Sequence, residues 1–314
     1  MWHEFSYNFV FNVLNLQGKL ADALHFFIYD TIKIWFLLIT IIFAVSFLRT
    51  WVNTEYVRAH LQGKSAFYGH VAASLFGIVT PFCSCSAIPL FLGFIQARIP
   101  IGVTFSYLIS APMNNEIAIA MLFGIFGFKI TLIYIVFGLS VAIFGGMLIE
   151  KLGMQKEILL DVKPIDAELE ADLVKLTFKD RCKEAWSYTL DIFKKIYIYV
   201  MLGVGVGAWI HGYIPTDFIA SYTGEDNPFA VIIAVLMGIP MYSNAAGVMP
   251  LVEVLTSKGM LLGTALSFMM AVTALSLPEA LILKKIISLK LIAVFFGIVG
   301  FGIIAIGYIF NIIL

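Results

Sequence analysis

Six apolar runs, at about 31–48, 101–126, 130–149, 192–210, 259–283 and 291–313, limit what this chain can fold into more than anything else in it. Each is near the roughly 20 residues that a helix needs to cross a bilayer. Inside lipid a backbone has to satisfy its own hydrogen bonds, which a helix does within one segment. Hydrophobic residues make up 61% of the chain and charged ones 13%, against about 25% charged in an ordinary soluble domain. The expectation is an all-α polytopic membrane protein. Basic and acidic residues are equal at 20 each, so the charge balance gives no sign of a nucleic-acid partner. The partners expected are the lipid bilayer and a small solute, and the sequence leaves the oligomeric state unknown.

Two further apolar stretches, 67–97 and 229–256, are interrupted by "TPFCSCSAIP" and "GIPMYSNAAGVMP". Each interruption sits between two prolines, Pro81 and Pro89 in the first, Pro240 and Pro250 in the second. Proline lacks the N–H and clashes with the preceding turn, so these residues are expected as structural breaks. Residues 150–190 are charged and read as a cytoplasmic linker between two transmembrane halves, 31–149 and 191–314. Ahead of them, residues 1–30 carry Phe5, Phe9, Val13, Leu16, Leu20, Leu24 and Phe27 at spacings of three and four. That spacing predicts an amphipathic interfacial helix over 4–28. With no Lys or Arg before Lys19, this stretch does not read as a secretory signal.

The halves resemble each other. Asp30, Lys33, Pro89, Gly102 and Ser106 match Asp191, Lys194, Pro250, Gly263 and Ser267 at an offset of 161; Pro81 matches Pro240 at 159 and Glu116 matches Glu279 at 163. Internal repeats are the usual construction of secondary transporters. Sidedness then follows from Lys and Arg. If both interrupted stretches cross the membrane, 13 basic residues lie on the cytoplasmic side and 7 outside; if both return to their own side, the split is 16 to 4. The second arrangement obeys the positive-inside rule better. It predicts two inverted repeats, each with three full spans plus a broken or re-entrant helical segment, eight to ten hydrophobic segments in total. Hairpins and pairs of short spans give the same sidedness.

The first break carries Cys83 and Cys85. In a helix, residues i and i+2 point about 200° apart, whereas in extended backbone they share a side. The proline-bracketed break therefore allows both thiols to meet one ligand. Backbone freed at membrane depth has to be buried in protein or line a wet cavity, which describes a substrate site. Paired thiols suit soft, thiophilic species, trivalent arsenic with one organic group or Cu(I) among them. Structural zinc wants four ligands, and no second cysteine pair or histidine cluster supplies them, so neither metal nor other cofactor is expected. The second break offers Tyr242, Ser243 and Asn244 and no cysteine. Glu116 and Glu279 lie in membrane-length runs, each close behind a proline, and an ionisable residue there is a candidate for carrying a proton. No G-x-x-x-x-G-K-[ST] sequence is present, so ATP hydrolysis is not expected.

"TPFCSCSAIPLFLGF", "IPIGVTFSYLISAPMNNEIA" and the proline-flanked segment near Pro240 resemble the ArsP-type permeases, a family of predicted permeases that includes exporters of trivalent organoarsenicals. The resemblance extends over about 30–313. It implies that Cys83 and Cys85 stand at the family's cysteine pair, with Thr80, Pro81, Ser84, Ser86 and Pro89 around them, and Asn115 and Glu116 at its Asn-Glu pair. "APMNNE" departs from the commoner serine-proline form at Ala111. The function expected is a multi-pass permease of the cell (inner or plasma) membrane, not an enzyme. It would export a small thiophilic solute such as methylarsenite by secondary, proton-coupled transport. The alternatives are a Cu(I)-type permease or channel, a permease of the same family with an unrelated substrate, and a membrane oxidoreductase using the C-x-C pair.

Overall fold

The computed structural model describes residues 6–14, 17–49, 66–80, 84–97, 99–159, 178–213, 222–224, 227–241, 245–257 and 259–313. Among them the chain is helical, with one isolated bridge between Ile158 and Ile287. The helices are α1 Lys19–Arg49, α2 Ala66–Val79, α3 Ser84–Gln96, α4 Ile101–Met113, α5 Glu116–Lys151, α6 Phe178–Tyr213, α7 Ala230–Gly238, α8 Ala245–Ser257, α9 Leu262–Ala274, α10 Leu277–Leu283 and α11 Leu289–Ile313. Four stretches, Ala23–Ala44, Glu116–Lys151, Leu262–Leu283 and Leu289–Ile313, are long and apolar enough to cross a membrane.

Two boundaries differ from expectation. Residues 4–28 do not form one helix: a π-helical turn, Asn8–Val13, is followed by Gly18 at φ 78 and then by α1. The left-handed glycine ends one segment and lets the next leave at a new angle. The runs 101–126 and 259–283 are each broken in the middle, at Asn114–Asn115 and at Leu275–Ser276. Pro112 stands just before the first break and Pro278 just after the second. A further kink falls at Gly127, whose φ 79 and ψ 178 belong to a region only glycine occupies readily.

The interrupted stretch 67–97 is a hairpin. His70 lies against Ser106, and the Ser110 hydroxyl donates to the Ser74 carbonyl, both pairs 36 residues apart, so α2 and α4 run parallel. Only residues 97–100 separate the end of α3 from the start of α4, so α3 has to run back between them. At 14 and 13 residues and about 1.5 Å per residue, α2 and α3 reach about 20 Å each, short of a hydrocarbon core of about 30 Å.

The halves repeat their contacts at the offset of 161. Ile99 N–H bonds the Phe94 carbonyl as Met260 N–H bonds Leu255, each at 3.1 Å, and Asn114 N–H bonds Ser110 as Leu275 N–H bonds Ala271. Gly102 packs against Gly146 as Gly263 packs against Gly307. Equivalent helices also meet antiparallel. On α1 and α6, Trp35 stacks edge-on to Phe193 at 5.8 Å, Phe43 to Trp186 and Phe47 to Phe178. On α5 and α11, Phe137 meets Phe310, Val141 meets Gly302 and Gly145 faces Ile298. Val141 and Gly302 are themselves 161 apart.

Candidate functional site

The first hairpin turns after Thr80, which is buried and donates its hydroxyl to the Gly77 carbonyl at 3.1 Å. Pro81 and Cys83 lie outside the described residues. Ser84, Cys85 and Ser86 open α3, and their side chains are likewise outside the description. Pro89 is the sixth residue of α3 and has no N–H to give the Cys85 carbonyl, which therefore leaves the helical ladder. Pro250 holds the same position in α8 and frees Ala246 in the same way. At the second tip, α7 ends at Gly238, Met241 N–H closes a turn onto the Gly238 carbonyl at 3.0 Å, and Tyr242, Ser243 and Asn244 fall outside the described residues.

The described ends of α2 and α7 approach the mid-span breaks. The parallel register of α2 and α4 carries Thr80 to the level of Glu116. In the second half the contact is a backbone bond, Leu277 N–H to the Ile239 carbonyl at 3.1 Å. The halves also interlock, with α3 packed against α10 and α8 against α5. The cysteine-bearing helix thus lies beside the helix that carries Glu279, and the helix following Asn244 lies beside the one that Glu116 opens. Asn115 caps α5, its side-chain oxygen accepting from Ile117 N–H at 2.8 Å. The Glu116 side chain is exposed. Glu279 is 0% exposed, and neither of its oxygens has a hydrogen-bond partner among the described residues.

Around the breaks the halves differ in chemistry. In the first, the Ser110 hydroxyl donates to the Ser74 carbonyl at 2.7 Å, the Asn114 amide lies 3.4 Å from Ser110 Oγ, and the Tyr134 hydroxyl donates to the Met113 carbonyl at 2.8 Å. The equivalent positions 161 residues on are Val235, Ala271, Leu275 and Phe295. The helix contacts around the first break are polar and those at the equivalent positions of the second half apolar. Ser74 and Tyr134 carry no motif of their own. Only the repeat alignment, extended past the prolines, marks them, because it sets a polar residue against an apolar one.

An all-helical set of described residues with four stretches long and apolar enough to cross a membrane marks the class as an α-helical membrane protein. The chain belongs to the ArsP-type family, described as predicted permeases, whose profile matches residues 19–312. It is 23% identical to a UPF0718 protein of Methanocaldococcus jannaschii, over 98% of both chains. It is 22% identical to the UPF0718 protein YraQ of Escherichia coli, over 71% of this chain and 62% of that one. No solved structure matches it.

Proposed function

We propose that the chain is a multi-pass secondary transporter of the cell membrane that exports a small thiophilic solute, a trivalent organoarsenical such as methylarsenite, through two inverted repeats. One observation carries the proposal: in a chain of this family, α2 ends at Val79 and α3 begins at Ser84, so Cys83 falls in the interval between the two helices and Cys85 in the first turn of α3. The two thiolates, one just before α3 and one in its first turn, would complete the coordination of arsenic that bears one organic group, although Cys85 is helical and not in the extended backbone expected for the pair. Thr80, Ser84 and Ser86 and the carbonyl freed by Pro89 surround it, and Asn115, Tyr242, Ser243 and Asn244 come from the break and tip opposite.

Inversion of the repeats is supported by the antiparallel packing of equivalent helices, α1 on α6 and α5 on α11. A two-fold that relates antiparallel partners lies across the helices, hence in the membrane plane. Proton exchange is the coupling proposed, with Glu279 the stronger carboxyl candidate because it is buried without a partner, and Glu116 the weaker. The test is resistance profiling of cells that express the chain. Protection against methylarsenite, with little against inorganic arsenite or copper, is expected. Protection against copper alone would replace the proposal with a Cu(I) permease, and protection against none of the three would remove the thiophilic substrate.

A further inference from the structure

His70, in the second turn of α2, is 2% exposed and is held between two other helices of its half. Its Nδ1 lies 2.9 Å from Ser106 Oγ on α4, and its Nε2 lies 2.8 Å from Glu150 Oε2 near the end of α5. Glu150 keeps 35% of its side chain exposed. The ring and the Glu150 Oε2 that meets it are both buried, while the rest of the Glu150 side chain is partly exposed.

The second half is an internal control. His70, Ser106 and Glu150 correspond, at 161, to Val231, Ser267 and Asn311. There Val231 packs at Gly307, and Asn311 binds Thr264 twice. Its amide donates to the Thr264 hydroxyl at 3.0 Å, and its oxygen accepts from Thr264 N–H at 3.1 Å. The same helix crossing is therefore held with no ionisable group, so packing does not require an acid and a base at this place. A buried imidazole in contact with a carboxylate that is partly exposed is suited to taking up a proton.

We propose that His70 and Glu150, with Ser106 on the other ring nitrogen, form a proton-binding site that couples permeation to the pH on the side of the membrane where α5 ends. The coupling rests on the permease function proposed above; proton binding itself does not. With the site empty, one ring N–H faces Glu150 and the second nitrogen accepts from Ser106. An added proton makes both ring nitrogens donors, turns Ser106 into an acceptor, and gives Glu150 an imidazolium partner. α2 is then clamped to α4 and α5, and α2 leads directly into the tip. The other titratable groups on the elements around the pair are Tyr68 on α2, Tyr107 on α4, Glu116, Lys129, Tyr134 and Lys151 on α5, and Lys156 and Glu157 on the turn Met154–Glu157. Glu157 is engaged by Lys290 of α11 at 3.2 Å. Among the described residues, neither Lys151 nor Lys156 pairs with His70 or Glu150, and both are exposed.

The test combines two readouts on the full chain. In purified protein labelled with 15N-histidine, the ring signals of His70 should respond to pH and should be altered by Glu150→Gln. A His70 ring silent to pH, or indifferent to Glu150→Gln, overturns the site. In proteoliposomes with methylarsenite as the probe, the double variant His70→Val/Glu150→Asn installs the second half's own residues. It should lose pH-gradient-driven flux by about tenfold while exchange at equal pH persists. Gradient-driven flux as large as in the native protein overturns the coupling. Should the native protein move no methylarsenite, the substrate proposal fails, and the ring titration decides the proton site alone.

Discussion

Replacing Gly146 with alanine puts a methyl group into the tightest crossing of the first half. Its Cβ would collide with Ser106 Oγ and sit 2.5 Å from the Gly102 carbonyl oxygen, which belongs to backbone and cannot turn away. Gly307→Ala makes the equivalent change in the second half. There the Cβ meets Ser267 Oγ and Val231 Cγ1, the latter at 2.5 Å, both in side chains that can rotate. Overpacking of this kind costs about 1–3 kcal/mol, so Gly146→Ala belongs at or above the top of that range and Gly307→Ala nearer the bottom. Gly124 and Gly297 face open space, and alanine there should stabilise its helix by up to about 1 kcal/mol. The assay is thermal unfolding of purified protein in one detergent, with all four variants side by side. Lower melting temperatures for the first pair, in that order, and unchanged or higher ones for the second are expected. Gly146→Ala and Gly124→Ala unfolding together would refute the crossing, and with it the repeated contact on which the equivalence of the halves rests.

Cysteines introduced near Asp217 and Lys258 should react with an impermeant reagent from outside the cell and one near Lys285 should not; Lys258 labelled only from the cytoplasm would rule out inversion. Glu279→Gln should bind solute yet lose flux driven by a pH gradient, while Glu116→Gln, at an exposed position, should retain most of it; the reverse pattern in proteoliposomes would move the proposed carboxyl from Glu279 to Glu116. Glu157 is held below the usual carboxylate range by hydrogen bonds from Ser288 and then Lys290. A depressed carboxyl contributes stability above its unfolded pKa and loses it as pH falls through the folded one. Protection of the turn Met154–Glu157 against hydrogen exchange, relative to the intrinsic rate at each pH, should therefore fall in acid below about pH 4, and less so in Lys290→Ala.

Much of this architecture was legible in the residues because lipid leaves a chain few choices. Apolar runs of membrane length and the offset of 161 point to spans and halves, whereas Pro89 and Pro250, expected as breaks, lie inside α3 and α8, each costing one ladder bond. The mid-span breaks were harder to read. Asn114–Asn115 and Leu275–Ser276 interrupt runs whose hydropathy continues unbroken, and only Pro112 and Pro278 hint at a loss of ladder bonds. The fate of 67–97 was equally closed to sequence, since a hairpin and two short spans place the same charges on the same side. The His70 and Ser110 contacts set α2 parallel to α4, which both arrangements allow. At the site, the cysteine pair and Glu279 stood out by residue type, whereas His70 and Glu150, 80 residues apart, become partners only when α2 and α5 are packed.

Flux of methylarsenite into proteoliposomes holding the purified chain bears most directly on the proposed function. Native protein should accumulate it, Cys182→Ser should match the native rate because that thiol lies partly exposed at the start of α6, and Cys83→Ser and Cys85→Ser should each abolish it while still inserting and unfolding like native protein. Full flux in both Cys83→Ser and Cys85→Ser would contradict a thiol site at the hairpin tip.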